Sequence, residues 1–111
     1  MSEYLYLYRG GESGESPEWH EKQMQLWTAW MGDLGQKGHL KDPGQPLERT
    51  GKVVTGKSKT LTDGPYAEAK DLVGGYTIVE ARDIQQAAEL SGGCPILAVG
   101  GAVEIRPIMK M

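Results

Sequence analysis

The run Thr62-Asp63-Gly64-Pro65-Tyr66-Ala67-Glu68-Ala69-Lys70-Asp71, followed by Val73-Gly74-Gly75-Tyr76, constrains the fold more than any other stretch of the chain. Glycine tolerates positive φ and proline locks its own, so Gly64-Pro65 imposes a sharp bend that no helix can cross. The segments on either side alternate like strands. Side chains on so rigid a turn can be aimed, and here they include acids, a base and a tyrosine.

Taken in order, Tyr4-Leu5-Tyr6-Leu7-Tyr8 alternates strictly and reads as a central strand. Leu5 and Leu7 are expected to face helices. Tyr4, Tyr6 and Tyr8 are expected on the opposite face, in a pocket or a dimer interface; a tyrosine-rich interface without ligand is the plainer alternative. Ser16-Pro17 reads as an N-cap and first helical residue, opening a helix from about Pro17 to Gln36. At ~100° per residue, Trp19, His20, Met24, Leu26, Trp27, Trp30, Met31 and Leu34 share an arc of about 160°, expected to be buried. Gly38 ends this helix, and His39 to Leu47 reads as loop. Val53-Val54 and Lys59 to Thr62 predict a hairpin around Thr55 to Ser58. Val73 to Glu80 predicts a strand, with Gly74-Gly75 marking a bulge or a close backbone approach. Asp83 caps a second helix, Ile84 to about Leu90, with Ile84, Ala87, Ala88 and Leu90 inward. Gly101 to Ile108 is the last strand, where Val103 and Ile105 oppose Glu104 and Arg106.

The bent segment, in the form DGPYAEAKDLVGGY, resembles the signature of the YCII-related, or DGPF-domain, family. The ending Gly101-Ala102-Val103-Glu104-Ile105-Arg106-Pro107 extends the likeness over most of the chain. The resemblance implies one domain over residues 1–111. It implies an α+β, ferredoxin-like sandwich of the dimeric α+β barrel type, with two helices on one face of an antiparallel sheet. It places the first and last strands side by side in the middle of that sheet. An uncovered sheet face is a large patch of the kind that marks an interface, so a homodimer is expected, its two sheets around a cavity.

With 111 residues the chain can bury a core without staples. Its net charge of −3, with scattered basic residues, argues against direct nucleic-acid binding. No apolar run approaches the ~18–20 residues that would cross a membrane, and no leader pattern is visible. A single cysteine, Cys94, suits the cytoplasm. Two distant histidines, His20 and His39, make a poor metal site, and no organic cofactor motif is present.

Gly51 to Ser58 matches the pattern GxxxxGK[ST], but a phosphate-binding loop needs a helix to follow, and Gly64-Pro65 forbids one. His20 is either a general base or a satisfied core imidazole. Asp63 either holds its own turn or serves as a general base or ligand anchor; Glu68 has no turn geometry to explain it. Members of the family are thought to use a His on the first helix and an Asp before a Pro after the second. The matching positions here are Trp27 and Cys94, so that dyad is absent and whether a reaction occurs stays open. The expected small-molecule cavity is lined by Tyr6, Tyr8, His20, Trp27, Tyr66 and Arg106, with Asp63 and Glu68 as its catalytic carboxylates. The alternative is a regulatory or interaction module linked to sigma-factor-dependent transcription, because family members occur beside, and sometimes fused to, sigma factors.

Overall fold

Strand β1 (Ser2–Gly10) runs through the sheet and feeds helix α1 (Pro17–Gln36) in the computed structural model, which describes residues 1–111 apart from the side chain of Ala69. Ser16 caps α1, its hydroxyl accepting from the Trp19 amide at 3.0 Å. Strand β2 (Leu40–Asp42) follows, then the hairpin β3 (Gly51–Thr55) and β4 (Thr60–Gly64), strand β5 (Val73–Ala81), helix α2 (Ile84–Ser91) and strand β6 (Gly101–Pro107). Short 3₁₀ turns, Ala69–Asp71 and Pro95–Val99, precede β5 and β6. Four strands form one antiparallel sheet in the order β2-β5-β1-β6, and β3-β4 pair apart from it. This is an α+β layer pair, with α1 and α2 on one face.

The helix boundaries agree closely with the sequence pattern. The sheet order does not put β1 and β6 together at its centre: they are neighbours, but β5 and β1 are central and β6 is an edge. The stretch expected to be loop from His39 to Leu47 instead lines the other edge. After β2 it keeps bonding to β5, through the Tyr76 amide to the Gln45 carbonyl (3.4 Å) and the Leu47 amide to the Gly74 carbonyl (2.9 Å).

The tyrosine face is the principal correction. Tyr4, Tyr6 and Tyr8 are buried under the helices, whereas Leu5 and Leu7 are half-buried on the uncovered face. The chain has no phenylalanine, so tyrosine and tryptophan must supply the aromatic volume between sheet and helices. The hydroxyls are no obstacle where they find partners. Tyr6 Oη donates to the Ala87 carbonyl at 2.5 Å, and Tyr8 Oη donates to Thr77 Oγ1 at 2.7 Å. Tyr6 stacks near Trp30, with ring centroids 6.1 Å apart. Burial holds the Tyr6 hydroxyl neutral, pushing it up to about 12, and raises Tyr8 as well.

Helix α1 buries a narrower seam than its apolar arc suggests. Trp30 and Leu34 are buried and Trp27 and Met31 partly so, while His20, Met24 and Leu26 are exposed. In α2, Ala87 and Ser91 are buried and Leu90 packs on the core, but Ile84 and Ala88 point out. A four-stranded sheet is too small to cover both helices along their whole apolar faces.

Candidate functional site

The overhang of α1 creates a cleft of ≈ 440 Å³ between that helix, the β1-β5 pair and the edge segment after β2. From the helix come His20, Met24, Trp27 and Met31, spaced so that they point to one side. From the sheet come Tyr8, Thr77 and the Gly74-Gly75 backbone, and Ile96 closes one end. Pro43, Gln45 and Pro46 form the far wall. Trp27 meets the Tyr8 ring edge-on, with centroids 4.7 Å apart, and Trp30 packs behind both.

Two glycines make this arrangement fit. Gly44 has φ +72°, and a Cβ there would lie 1.7 Å from the Tyr76 carbonyl oxygen, so the wall could not approach β5 with any other residue. At Gly75 a Cβ would come within 3.1 Å of the Gln45 carbonyl oxygen. The doublet Gly74-Gly75 also carries the β-bulge, since Tyr8 pairs with Gly75 but Arg9 with Val73.

The polar groups inside are few and already ordered. Tyr8 donates to Thr77, and Thr77 Oγ1 donates to the Pro43 carbonyl at 2.9 Å. This relay ties the wall to the floor. His20 stands exposed at the mouth, with its ring 5.1 Å from that of Trp19. An aromatic and thioether lining with few polar groups suits a flat apolar molecule.

The family model described as a YCII-related domain matches residues 5–111. The chain belongs to the YCII-related family. No curated protein matches this YCII-related chain. Among solved structures, it is similar to the 5-chloro-2-hydroxyhydroquinone dehydrochlorinase TftG from Burkholderia phenoliruptrix AC1100, solved in complex with 2,5-dihydroxybenzoquinone. That likeness has 16% identity and a TM-score of 0.49, and it covers 98% of this chain and 95% of that one.

Of the site residues expected from sequence, this YCII-related chain brings Tyr8, His20 and Trp27 together in the cleft. Tyr6 is wholly buried beneath α2 and does not line it. Arg106 lies on the opposite sheet face, 3.5 Å from Glu104, because the tyrosines turned inward and β6 did not. Asp63 sits near the end of β4, exposed and paired with Lys52 across the hairpin, rather than bonding its own turn. Glu68 is exposed and lines neither this cleft nor the one beside Tyr66. Cys94 is buried, and burial pushes its thiol up to about 11, away from reactivity at neutral pH. The phosphate-loop match falls on the β3-β4 hairpin, with Gly56 at φ +73° in the turn and strand β4, not a helix, directly after it.

Met24, Met31, Thr77, Gln45 and Ile96 were not identified from the sequence as lining residues. The Gly74-Gly75 doublet was the one local signal of a close approach. The rest depends on the edge segment lying against β5, which no pattern in Lys41 to Leu47 announces.

Proposed function

We propose that this protein binds a small, flat and largely apolar molecule in the cleft between α1 and the sheet. The observation that carries the reading is the convergence of Tyr8, Trp27, Met24 and Met31 on one ≈ 440 Å³ space. Such sites bury most of a ligand against aromatic and apolar groups and orient it with a few polar ones, here His20, Thr77 and Gln45. Asp63 and Glu68 do not line this cleft, and His20 at its mouth is the group able to exchange a proton with an occupant.

A second part of the reading is homodimerisation through the uncovered sheet face. Leu5, Leu7, Tyr76 and Ile78 form its half-buried centre. Lys41, lying 3.8 Å from both Glu3 and Glu80, marks one corner, and Glu104 with its arginines the other. The molecule is a plate of 46 × 44 × 19 Å, which leaves this face without a second layer.

The test is calorimetric titration with 2-naphthol as a flat apolar probe. Saturable binding is expected in the parent, in Asp63→Asn and in Glu68→Gln, and its loss in Trp27→Ala. Binding that survives Trp27→Ala but disappears in either carboxylate variant would move the site to the hairpin loop.

A further inference from the structure

A second cleft, of ≈ 570 Å³, lies at the base of the β3-β4 hairpin and shares no residue with the cleft under α1. Leu47, Pro65, Leu72 and Val73 give it apolar walls, and Tyr66, 85% exposed, stands at its rim. So large an aromatic ring left in water on a rigid turn is unusual for a packing residue. Its cationic lining residue is Arg9.

Arg9 is aimed and held. It sits where the bulge shifts β1 against β5, a device that redirects side chains. Its Nε donates to Glu104 Oε1 at 2.6 Å and its Nη1 to the Asp71 carbonyl at 2.5 Å. The next residue, Gly10, is fixed as well: its amide donates to the Leu72 carbonyl at 3.1 Å, and φ is +66° where a Cβ would strike the Lys70 carbonyl. Among the described residues these bonds leave the Nη2 group of the guanidinium without a partner, with its position set in advance. Nor is the charge cancelled. Glu104 is shared between Arg9 and Arg106, so two guanidinium groups answer to one carboxylate.

We infer that this cleft binds an amphipathic carboxylate, such as an aryl-substituted carboxylic acid. The carboxylate meets the Nη2 edge of Arg9, and the apolar body lies against Leu47, Leu72, Pro65 and the Tyr66 ring. Arginine suits such a contact because the Nη2 N–H, held in place by the bonds at Nε and Nη1, can give a charge-assisted hydrogen bond to a carboxylate oxygen. Glu48 is the one acid in the lining, and it disfavours an anion placed anywhere but at Arg9.

The experiment is titration of the full chain with phenylacetate and, in parallel, phenethylamine, followed by ligand-observed NMR. Phenylacetate is expected to bind saturably and phenethylamine not to bind. Arg9→Lys keeps the charge but loses the fixed Nη2 donor, because an ammonium cannot hold the Glu104 and Asp71 bonds and still present a positioned N–H, and should weaken phenylacetate about tenfold or more. Tyr66→Ala removes an exposed ring with no folding role and should weaken it severalfold, while Glu48→Gln should tighten it. Circular dichroism of each variant identifies any that fail to fold; Tyr66→Ala and Glu48→Gln alter exposed side chains and keep the test decisive if Arg9→Lys does. Equal binding of the amine, or phenylacetate binding indifferent to both Tyr66→Ala and Glu48→Gln, overturns the inference. Because the two clefts share no residue, 2-naphthol binding under α1 can succeed or fail independently.

Discussion

The two faces of the four-stranded sheet are built from the same alternating strands and meet opposite fates. On the helix side, Tyr4, Tyr6, Tyr8, Thr77 and Val79 are buried almost completely. On the other side, Leu5, Leu7, Tyr76 and Ile78 stay half-exposed between charged corners. The more hydrophobic residues of β1 thus lie on the less buried face. The space between a sheet and its helices rewards volume, and a hydroxyl that reaches a carbonyl or another hydroxyl costs little there. Hydrophobicity therefore ranks faces poorly when one carries large rings with reachable partners.

The largest expected effect lies on the covered face. Tyr6→Ala should remove about 3–5 kcal/mol of stability in urea unfolding, the usual cost of emptying a large aromatic site. Tyr6→Phe should cost about 1 kcal/mol, because it deletes only the bond to the Ala87 carbonyl, which keeps its place in helix α2. A Tyr6→Ala variant as stable as the parent would return the tyrosines to the open face.

Alkaline pH should reach the same face next. Tyr6 is raised from 10.0 to about 12 and Cys94 from 9.0 to about 11. In both, the folded state holds its proton beyond the point where the unfolded chain releases it. Their contribution is therefore complete below pH 9 and is lost as pH rises through 9 to 12, by an amount on the order of a few kcal/mol. Denaturation midpoints measured from pH 8 to 12 should fall over that window. Glu104 works in the opposite direction: its bond to Arg9 holds the carboxyl below the usual range, so its effect is present at neutral pH and fades as pH falls through its folded value.

Substitution on the open face should change assembly more than folding. Leu7→Asp places a charge at the centre of the proposed contact. Sedimentation should show a dimer for the parent and a monomer for this variant, whose unfolding free energy should change by about 1 kcal/mol or less. A monomeric parent at micromolar concentration would sink the dimer reading. The smallest effect belongs to the hairpin, where Asp63→Asn should change stability by less than about 0.5 kcal/mol in thermal unfolding, since its ion pair with Lys52 is exposed.

Much of the fold was legible because local chemistry declares itself. Ser16-Pro17 and Asp83 start the helices, Gly38 stops the first, and the alternation of β1 and of Val73 to Glu80 is unmistakable. Orientation was not legible, because alternation defines two faces without saying which meets the helices. The width of the α1 seam was not legible either, since Met24 and Leu26 are apolar whether or not a sheet lies beneath them. Tyr8, His20 and Trp27 could be named as site residues from their type and spacing. Thr77 meets Tyr8 through the pairing of β5 with β1, and Gln45 and Pro46 meet the site only through the edge pairing along β5. Asp63 and Glu68 drew attention as carboxylates beside a rigid turn, yet that turn faces the hairpin base and not the helix cleft.

The most direct test of the central claim, that the covered side of the sheet holds the small-molecule site, is amide and indole shift mapping by NMR as 2-naphthol is added. Concentration-dependent shifts of the Trp27 indole N–H and of the Gly75 and Thr77 amides are expected, with Leu5 and Ile78 unmoved. Shifts confined to Leu5, Leu7 and Ile78 would contradict it and place the site on the open face.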